Sequence, residues 1–391
     1  MLVSVDSYTF GEDGGVHVDT GTDSGAAPAR DAEPDASPTH DSGLDGGAPM
    51  LQRRRLCSGR TFSCAVSDGA VHCWGLNRHS EVAPTSESPI LAPRARSGGL
   101  PPDVVEIACG DQHACALSAS GGVFCWGRND FGQVDSMPST GDVALAERAA
   151  ADFSDLVDVA ASGATTCVLR RNGEAHCWGR GSEGQLGNGF LDSPTPVQVQ
   201  GVGALRQLLD GYGSVCGVDA MGDAYCWGPG PARPTASSAD AYQIDWLEME
   251  IPFDAGAGHL CGLTGGTGMR CQGSNGFGQL GVGTTVDSDV PVTVGGLPSG
   301  LSHVALLLQS SCVAASREVW CWGYAEDGFL GIGEVFQAES PARVGELPSN
   351  VVTMAGGETH VCALLEDASI YCWGFLGETT PITSPQRFSL P

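Results

Sequence analysis

The chain contains no lysine. All 19 basic residues among its 391 are arginine, against 46 acidic residues, so the formal net charge is -27. Without lysine there is no Schiff-base amine and no phosphate-loop lysine, and the enzyme classes that depend on them are excluded. The negative charge argues against nucleic-acid binding, which depends mainly on contacts between basic side chains and phosphate. It also argues against binding to an anionic membrane surface. We therefore expect no nucleic-acid partner.

The absence of other sequence features reduces the number of possible functions further. No apolar run approaches the 18 or more residues of a membrane-spanning helix, so no transmembrane segment is expected. The sequence also lacks Cys-x-x-Cys, Gly-x-Ser-x-Gly, His-Glu-x-x-His and a glycine-rich phosphate loop. These motifs are the usual signs of redox, hydrolase, zinc and nucleotide sites. We predict no catalytic residue, no metal and no cofactor.

Residues 1–52 differ in composition from the rest of the chain. They are rich in Asp, Gly, Ala, Ser and Pro and hold ten acidic residues, Asp6 through Asp45, against Arg30. Such a segment buries too little apolar area to offset its ordering entropy, so we predict a disordered acidic tether. The first ten residues lack the basic and apolar regions of a signal peptide. We expect a leader that this sequence does not show, which could carry a lipid anchor.

Beyond residue 52 the chain is organised by a repeated pair of cysteines. The two cysteines are nine or ten positions apart, and the second opens Cys-Trp-Gly in six copies and Cys-Gln-Gly in the fifth. The first cysteine recurs after 51, 52, 49, 45, 51 and 50 residues, which indicates a repeat architecture. The pairs are Cys64 with Cys73, Cys115 with Cys125, Cys167 with Cys177, Cys216 with Cys226, Cys261 with Cys271, Cys312 with Cys321, and Cys362 with Cys372.

The residues between the cysteines predict a β-hairpin in which the two cysteines are directly opposed. Arg171-Asn172-Gly173 reads as a three-residue loop, and the shorter first copy has Asp68-Gly69, which favours a type I′ turn. Opposed Cβ atoms on adjacent strands lie within reach of a disulfide. We therefore predict seven disulfides and an oxidising compartment; the alternative is seven pairs of free thiols in the cytosol. The hairpins are centred near residues 68, 120, 172, 221, 266, 317 and 367.

Each copy contains more than the hairpin. A short apolar strand precedes it, a polar loop with Gly-Gln-Leu-Gly follows Trp-Gly, as at Gly184–Gly187, and a proline-containing strand ends the copy. Four short strands per 50 residues fit the blades of a propeller. The pattern Gly-x-x-His-x-Cys-Ala-Leu, then Cys-Trp-Gly-x-Asn-x-x-Gly-Gln-Leu-Gly, resembles the repeat of the regulator of chromosome condensation family, with good matches at Gly110–Gln133 and Gly258–Gly281. The resemblance implies an all-β, seven-bladed β-propeller over residues 53–391, and the cysteines look like an exported bacterial branch.

Two further expectations concern how the ring is held together. Ser384–Phe388 looks like the proline strand that the first copy lacks, so the C-terminus would complete the first blade. Cys57 and Cys109 remain after the seven pairs and precede the first cysteine of their copies by seven and six residues, which suggests equivalent positions in neighbouring blades. They either form a bridge between blades or are small buried residues or free thiols.

Some recurring side chains have both a structural and a functional interpretation. His113, His259 and His360 precede the first cysteine of their copies by two residues. They could belong to a metal-binding ring, but we favour packing and hydrogen bonding. The tryptophans of Cys-Trp-Gly could stack on sugars, but their regular recurrence favours packing between blades.

Residues outside the repeat consensus are the better candidates for partner contact. Tyr242 and Trp246 lie in an irregular insert after the fourth copy, and aromatic residues on loops are common contact residues. Arg78, Arg128 and Arg180 each follow Trp-Gly and are expected on one face, either as an anion contact or as solvated loop residues.

From these features we predict a monomeric, non-catalytic binding scaffold of the bacterial cell surface or exterior. It would present loops of one propeller face to a protein partner, and an enzyme that it inhibits is one such partner. The family resemblance implies an alternative in the cytoplasm, guanine-nucleotide exchange on a small GTPase. A third hypothesis is a hydrolase or lyase on a propeller face.

Overall fold

The structure is a computed structural model that describes residues 53–390, except 97, 136–140, 231–239, 248–252, 266–267, 334 and 378–379. The predicted acidic tether, residues 1–52, and the centre of the fifth hairpin lie outside the described residues. The described chain forms seven four-stranded antiparallel sheets, each built from strands consecutive in sequence. The predicted all-β, seven-bladed propeller is confirmed. Within the described residues, no helix has the length and apolar character needed to cross a membrane.

The strands are numbered β1 to β28, four to a blade. The innermost strands are β1 (Leu56–Ser58), β5 (Val104–Cys109), β9 (Leu156–Ser162), β13 (Leu205–Asp210), β17 (Phe253–Ala255), β21 (Leu301–Leu306) and β25 (Val351–Gly356). The second strands are β2 (Phe62–Ser67), β6 (His113–Ser118), β10 (Thr165–Arg170), β14 (Val215–Asp219), β18 (His259–Thr264), β22 (Ser310–Ala315) and β26 (His360–Leu365).

The third strands are β3 (Ala70–Gly75), β7 (Val123–Gly127), β11 (Ala175–Gly179), β15 (Ala224–Trp227), β19 (Gly268–Gly273), β23 (Glu318–Tyr324) and β27 (Ile370–Gly374). The outermost strands are β4 (Ile90–Ala95), β8 (Val143–Ala149), β12 (Ser193–Gln198), β16 (Tyr242–Gln243), β20 (Ser288–Thr293), β24 (Gln337–Glu346) and β28 (Ile382–Phe388). One short 3₁₀ helix, Glu326–Gly328, lies between β23 and β24.

The paired cysteines are opposed as the turn sequences predict. Asp68 and Gly69 both have positive φ, 49° and 78°, as a type I′ turn requires. Within each blade the second and third strands are joined by a disulfide, with Cα atoms 4.0–4.1 Å apart. The hairpin disulfides therefore fix the register of the two central strands in every blade.

The seven hairpin disulfides are the seven pairs that the sequence predicts. In chain order they join Cys64 to Cys73, Cys115 to Cys125, Cys167 to Cys177, Cys216 to Cys226, Cys261 to Cys271, Cys312 to Cys321, and Cys362 to Cys372. All sixteen cysteines lie in the described part of the chain, and none of them is free. The alternative of seven free thiol pairs does not describe this structure.

The eighth disulfide joins Cys57 in the first blade to Cys109 in the second, with Cα atoms 5.5 Å apart. The expectation that these two residues are equivalent was wrong. Cys57 pairs with Cys64 across its sheet, whereas Cys109 pairs with Ala114, one residue before the cysteine of its own hairpin. A stagger of one residue turns the two side chains toward each other across the blade boundary, since side chains alternate along a strand.

The expectation about ring closure was also wrong. β28 (Ile382–Phe388) pairs with β27 in the seventh blade, and the first blade has its own outer strand, β4, whose sequence Ile-Leu-Ala-Pro-Arg-Ala also contains a proline. The first and seventh blades meet instead through packing and hydrogen bonds. The backbone N–H of Glu358 donates to the carbonyl of Arg60, and the Arg60 guanidinium pairs with the Glu358 carboxylate.

Tryptophan packing joins successive blades. The six tryptophans of Cys-Trp-Gly are at most 2% exposed. Each of the better-kept Gly-Gln-Leu-Gly loops ends beneath the tryptophan of the next blade: a Cβ on Gly187 would lie 3.2 Å from Trp227 Cγ, and one on Gly281 only 2.6 Å from Trp322 Nε1. The Trp322 indole N–H also donates to the carbonyl of Gln279 at 2.9 Å. The glycine is required because the ring occupies the space of its side chain.

This packing yields a test with an internal control. Gly281 and Gly283 have similar left-handed φ angles, 70° and 76°, but a Cβ on Gly283 would come no closer than 3.5 Å to Ser340 Oγ. Both Gly→Ala variants should lose about 1–2 kcal/mol from backbone strain. G281A should lose about 1–3 kcal/mol more because its methyl group overpacks against Trp322. The measurement is urea denaturation of both variants, and equal losses would contradict the packing role of the tryptophan.

Candidate functional site

The connections between strands emerge on two opposite faces of the propeller. The long-loop face carries the described parts of the connections from the third to the fourth strands, residues 76–89, 128–135, 141–142, 180–192, 228–230, 240–241, 274–287, 325–333, 335–336, 375–377 and 380–381. The hairpin face carries the turns between second and third strands, such as Asp68-Gly69, together with the links between blades. Binding residues are found disproportionately on loops that a rigid scaffold positions, so this face is the first place to look for them.

The three arginines predicted to contact a partner all lie on the long-loop face, but the structure brings only two of them together. Arg128 and Arg180 line one depression of about 260 Å³ with Tyr212, while Arg78 is exposed beside a separate depression. Arg128 Nε donates to Asp130 at 2.7 Å. These contacts leave the partner-binding role of the arginines a prediction.

Arg180, like Arg128, pairs its guanidinium with a carboxylate of its own loop. Its Nη2 donates to Glu183 Oε1 at 2.7 Å, and its Nε lies 3.2 Å from the Ser182 hydroxyl oxygen. Because each guanidinium already has a carboxylate, the depression offers less net positive charge than the sequence suggests.

The aromatic residues singled out by the sequence analysis are placed differently from the expectation. Tyr242 is 8% exposed and forms β16, the outer strand of the fourth blade, so its ring belongs to the core. Trp246 is half-buried against the core of the fourth and fifth blades, and its indole N–H donates to Gln272 Oε1 at 2.8 Å. Tyr242 is therefore part of the sheet rather than of an exposed loop, and the partner-binding role of Trp246 stays a prediction.

The structure instead assembles five aromatic rings from the loops of the fifth, sixth and seventh blades. We call this group the aromatic sector; its members are Phe277, Tyr324, Phe329, Phe336 and Phe375. Tyr324 is central, with ring centroids 5.1 Å from Phe277 and 5.6 Å from Phe336, both edge-to-face. Phe329 links Tyr324 to Phe375 at 6.1 and 6.5 Å. Phe336 is 56% exposed and its neighbour Val335 is 43% exposed.

Local hydrogen bonds hold these rings in place. Asn275, which follows Cys-Gln-Gly by two residues, receives the backbone N–H of Leu280 on its Oδ1 at 2.9 Å, and Gln279 Oε1 receives the N–H of Phe277 at 3.0 Å. In the next blade the N–H of Ala325 donates to the carbonyl of Phe336 at 2.9 Å, which brings Phe336 back over Tyr324. The repeat motif thus preorganises the surface that the loops present.

The three histidines act as contacts between blades. His113 Nε2 lies 2.9 Å from Thr166 Oγ1, His259 Nε2 lies 3.0 Å from Ser311 Oγ, and His360 Nε2 lies 2.7 Å from Ser63 Oγ. Burial lowers the pKa of His113 and His259 to about 4 and that of His360 to about 3. The rings are therefore neutral at physiological pH, and each spans the boundary to the following blade.

A charged cluster missed by the sequence analysis lies on the propeller axis. Arg54, two residues before β1, donates Nε to Glu106 at 3.1 Å and Nη2 to Asp158 at 2.6 Å, and its Nη1 lies 3.2 Å from Asp210. One arginine thereby pairs with carboxylates of the second, third and fourth blades. Only a triple arginine, residues 53–55, marks this position in the sequence, and the sequence does not show which of the three turns inward.

The cluster carries more negative than positive charge. Burial raises the pKa of Asp210 to about 6, and burial followed by the charge of Asp158 raises that of Glu106. In the fifth blade, burial raises the pKa of Asp254 to about 7, while its two oxygens accept the backbone N–H groups of Ala255 and Leu306. Burial acts to lower the pKa of Arg54, but the surrounding carboxylates outweigh it, so Arg54 stays charged.

Replacement of Arg54 by methionine tests this arrangement. R54M would leave the buried carboxylates of Glu106 and Asp158 and the partly exposed one of Asp210 without their cation, and loss of the cation from a buried pair typically costs about 3–5 kcal/mol. A carboxyl group with a raised pKa in the folded state is protonated there at a pH at which it is still ionised in the unfolded chain. The loss of unfolding free energy in R54M should therefore be full at pH 8 and should decrease as the pH falls toward 5. The measurement is the free energy of unfolding at both pH values relative to R53M, whose side chain is exposed. A deficit that does not change with pH would contradict the account.

The geometry defines a class of protein, a closed seven-bladed propeller. Disulfides join the two central strands of every blade, and hydrogen bonds hold the loops of the long-loop face in place. The profile of the regulator of chromosome condensation (RCC1) repeat matches residues 104–133 and 156–185, and a second profile of the same repeat matches residues 318–364. The chain therefore carries RCC1 repeats at these residues, as the sequence resemblance indicates. That it belongs to an exported bacterial branch stays a prediction.

Several characterised proteins are similar to this chain. The Ultraviolet-B receptor UVR8 of Arabidopsis thaliana is 27% identical over 275 residues, which is 68% of this chain and 62% of that protein. The human E3 ubiquitin-protein ligase HERC2 is 26% identical over 250 residues, 60% of this chain but only 5% of the ligase. The chain thus spans less than two thirds of these relatives.

Solved structures show the same fold. Prp20p of Saccharomyces cerevisiae, whose structure was described with its binding to Gsp1p and histones, has a TM-score of 0.72 and 22% identity over 84% of this chain and 87% of its own. Human WBSCR16 has a TM-score of 0.69 and 23% identity over 79% and 85%. At these identities the likeness establishes the propeller fold alone.

Proposed function

We propose that this protein is a non-catalytic binding scaffold outside the cytosol, which holds a protein partner on the aromatic sector of its long-loop face. The observation that carries the proposal is the continuous group of five rings across three blades, with Phe336 56% exposed at its edge. Aromatic anchors on a rigid surface dominate the energetics of protein interfaces. An enzyme inhibited by capping is one form of such a partner.

Charge indicates what the partner surface should look like. The described residues of the long loops in blades five, six and seven contain no basic side chain, while Asp287 and the exposed Glu326 lie among them. Glu326 accepts the hydroxyl of Tyr324, which places a carboxylate at the centre of the aromatic sector. A partner segment with apolar side chains and arginine or lysine would match both features, through burial, ion pairs and cation–π contacts.

The proposal predicts that Phe336→Ala weakens partner binding about thirtyfold or more, since truncation of an aromatic anchor commonly costs about 2 kcal/mol. The control is Met221→Ala, an apolar side chain 70% exposed in a turn of the hairpin face. Both proteins would be used for affinity capture from envelope and medium fractions of the native organism, with quantitative mass spectrometry. Equal retention of every captured protein by the two variants would contradict this surface assignment.

The proposed location outside the cytosol can be tested separately. Seven hairpin disulfides and one bridge between blades support an oxidising environment, where such bonds persist. Non-reduced peptide mapping of protein from the native organism should therefore recover all eight pairs, including Cys57 with Cys109. Free thiols throughout would overturn the extracellular assignment.

An exchange factor for a small GTPase is the alternative class, supported by the likeness to Prp20p. Accelerated release of a bound fluorescent guanine nucleotide from small GTPases of the same organism would favour it over the scaffold. For the third class, a propeller-face hydrolase or lyase, the described long-loop face offers an acid–histidine group, in which His79 Nδ1 lies 2.9 Å from Asp142 Oδ1 and the His79 backbone N–H donates to Glu81 at 2.7 Å.

A further inference from the structure

Two aspartates of the inner strands bind the next blade in the same way. Asp158 Oδ1 accepts the N–H of the following residue at 2.7 Å, and its Oδ2 accepts the N–H of Leu208 in the fourth blade at 2.7 Å. Asp254 Oδ1 accepts the N–H of the following residue at 2.8 Å, and its Oδ2 accepts that of Leu306 in the sixth blade at 2.7 Å. Each carboxylate is therefore oriented by one N–H group of its own strand and one of the neighbouring strand.

The contacts of Asp158 show that this arrangement still accepts a cation. Its Oδ1 accepts Nη2 of Arg54 at 2.6 Å as well as the backbone N–H group, because an ionised carboxylate has about four lone-pair sites. Asp254 has the same backbone contacts, but it forms no ion pair with a residue that the structure describes. Burial raises the pKa of Asp254 to about 7, and the charge of Asp210 adds to this effect. A cation within ion-pair distance would favour the ionised form of such a carboxyl group.

Asp254 lines a chamber of about 190 Å³ on the propeller axis, which we call the axial chamber. Its lining comes from the inner strands and from the residues that follow them, so the chamber lies toward the long-loop face. The charged groups of the lining are Arg54, Asp111, Asp210 and Asp254. Arg54 already pairs with Asp210 and with two carboxylates outside the lining. The axial chamber therefore has an excess of negative charge.

The volume and the charge together indicate the class of ligand. Sites for drug-sized molecules measure about 300–1,000 Å³, so the axial chamber is suited to a smaller group. A guanidinium is planar, weakly hydrated and always charged, and its N–H groups match the lone pairs of a carboxylate. The contact between Arg54 and Asp158 is such a pair within this propeller, made by a carboxylate that has the same backbone contacts as Asp254.

We propose that the axial chamber binds a guanidinium group, with Asp254 as its carboxylate partner. The group belongs either to a small molecule or to an arginine side chain that another protein inserts from the long-loop face. The chemistry of recognition is the same for both sources, and different probes separate them. The site does not depend on the aromatic sector, so a failure of one assignment leaves the other untouched.

The test compares methylguanidinium with methylurea, which has a similar shape but no charge, by saturation-transfer difference NMR on the full-length, oxidised protein at pH 8. Methylguanidinium should bind saturably and at least about tenfold more tightly than methylurea, as expected for a charge-assisted contact. Absence of saturable methylguanidinium binding, or equal affinity for the two probes, would overturn the proposal.

A third probe, N-acetyl-arginine N-methylamide, separates the two sources of the guanidinium group. Its affinity should match that of methylguanidinium if the axial chamber admits an arginine of a polypeptide. Binding of methylguanidinium alone would identify a free small molecule as the ligand. Both results support the guanidinium site, and only the source differs.

A matched pair of variants assigns the contact. Asp254→Asn should weaken methylguanidinium binding at least about tenfold because the charge of the partner is lost. Asp152→Asn removes the same charge at an exposed position and should leave binding unchanged. Unchanged binding by a folded D254N protein would contradict the assignment to Asp254.

The wild-type protein provides a second measurement if D254N is less stable than its control, since an amide has one acceptor oxygen for the two backbone N–H groups. Asp254, with a pKa of about 7, is ionised at pH 8 and protonated at pH 5.5, and cation binding requires the ionised form. Methylguanidinium affinity should therefore fall at least about tenfold from pH 8 to pH 5.5. Asp210 and Asp111 also face the chamber with raised pKa values and add to the decrease, Arg54 keeps its charge, and β21 contributes only uncharged side chains to the lining. Equal affinity at both pH values would overturn the proposal.

Discussion

The register of the central hairpin determines how every blade meets its neighbours. Consecutive residues on a strand point to opposite faces of the sheet, so in Cys-Trp the two side chains face different blades. The cysteine side faces the following blade: Cys115 Sγ lies 3.8 Å from Thr166 Oγ1, and Cys261 Sγ lies 3.7 Å from Ser311 Oγ. A slip of one residue would exchange cysteine and tryptophan, and the disulfide across the hairpin prevents that slip.

The tryptophan side faces the preceding blade. At three boundaries the ring packs on the glycine that ends the preceding long loop: Trp227 on Gly187, Trp322 on Gly281 and Trp373 on Gly331. The fourth blade has no Gly-Gln-Leu-Gly, and the fifth blade, which would pack against it, has Gln272 in place of tryptophan. Trp246, from the link between the two blades, donates to Gln272 at 2.8 Å. The glycine loop is not a requirement for the ring, because the first blade also lacks Gly-Gln-Leu-Gly and the Trp126 indole N–H donates instead to the carbonyl of Glu81 at 2.7 Å.

The hydroxyl contacts of the histidines belong to the same network. The Thr166 hydroxyl donates to the carbonyl of Gln133 at 2.8 Å, so its oxygen is left to accept the Nε2–H of His113. The corresponding chain in the fifth and sixth blades runs from His259 through Ser311 to Gln279. Histidine, hydroxyl and the loop glutamine therefore connect three parts of the repeat motif across one blade boundary. The network uses Nε2 of each histidine, so metal binding through that nitrogen would break the contact between blades.

Features carried within one repeat were predictable from the sequence, and features assembled from several repeats were not. The opposed cysteines follow from Asp68-Gly69 and Arg171-Asn172-Gly173, because a turn fixes register over a few residues. The outer strand β4 was missed because a six-residue edge strand with a central proline leaves a weak pattern. The aromatic sector joins rings about 50 residues apart in sequence. Phe277 lies four residues after Gly273 and Phe329 six residues after Gly323, so the rings do not recur at one position of the repeat and no pattern marked the group.

The position of Arg54 explains how the inner strands of four blades are held around the axis. Arg54 precedes the inner strand of the first blade and pairs with carboxylates from the inner strands of the second, third and fourth blades. Without a cation the repulsion of these carboxylates would destabilise the inner ring, and with one arginine they converge on it. Arg54, Leu209, Phe253 and Thr353 line both the cavity of about 870 Å³ on the hairpin face and the smaller chamber of about 190 Å³. A single side chain therefore connects the electrostatics of the axis to the packing of four blades.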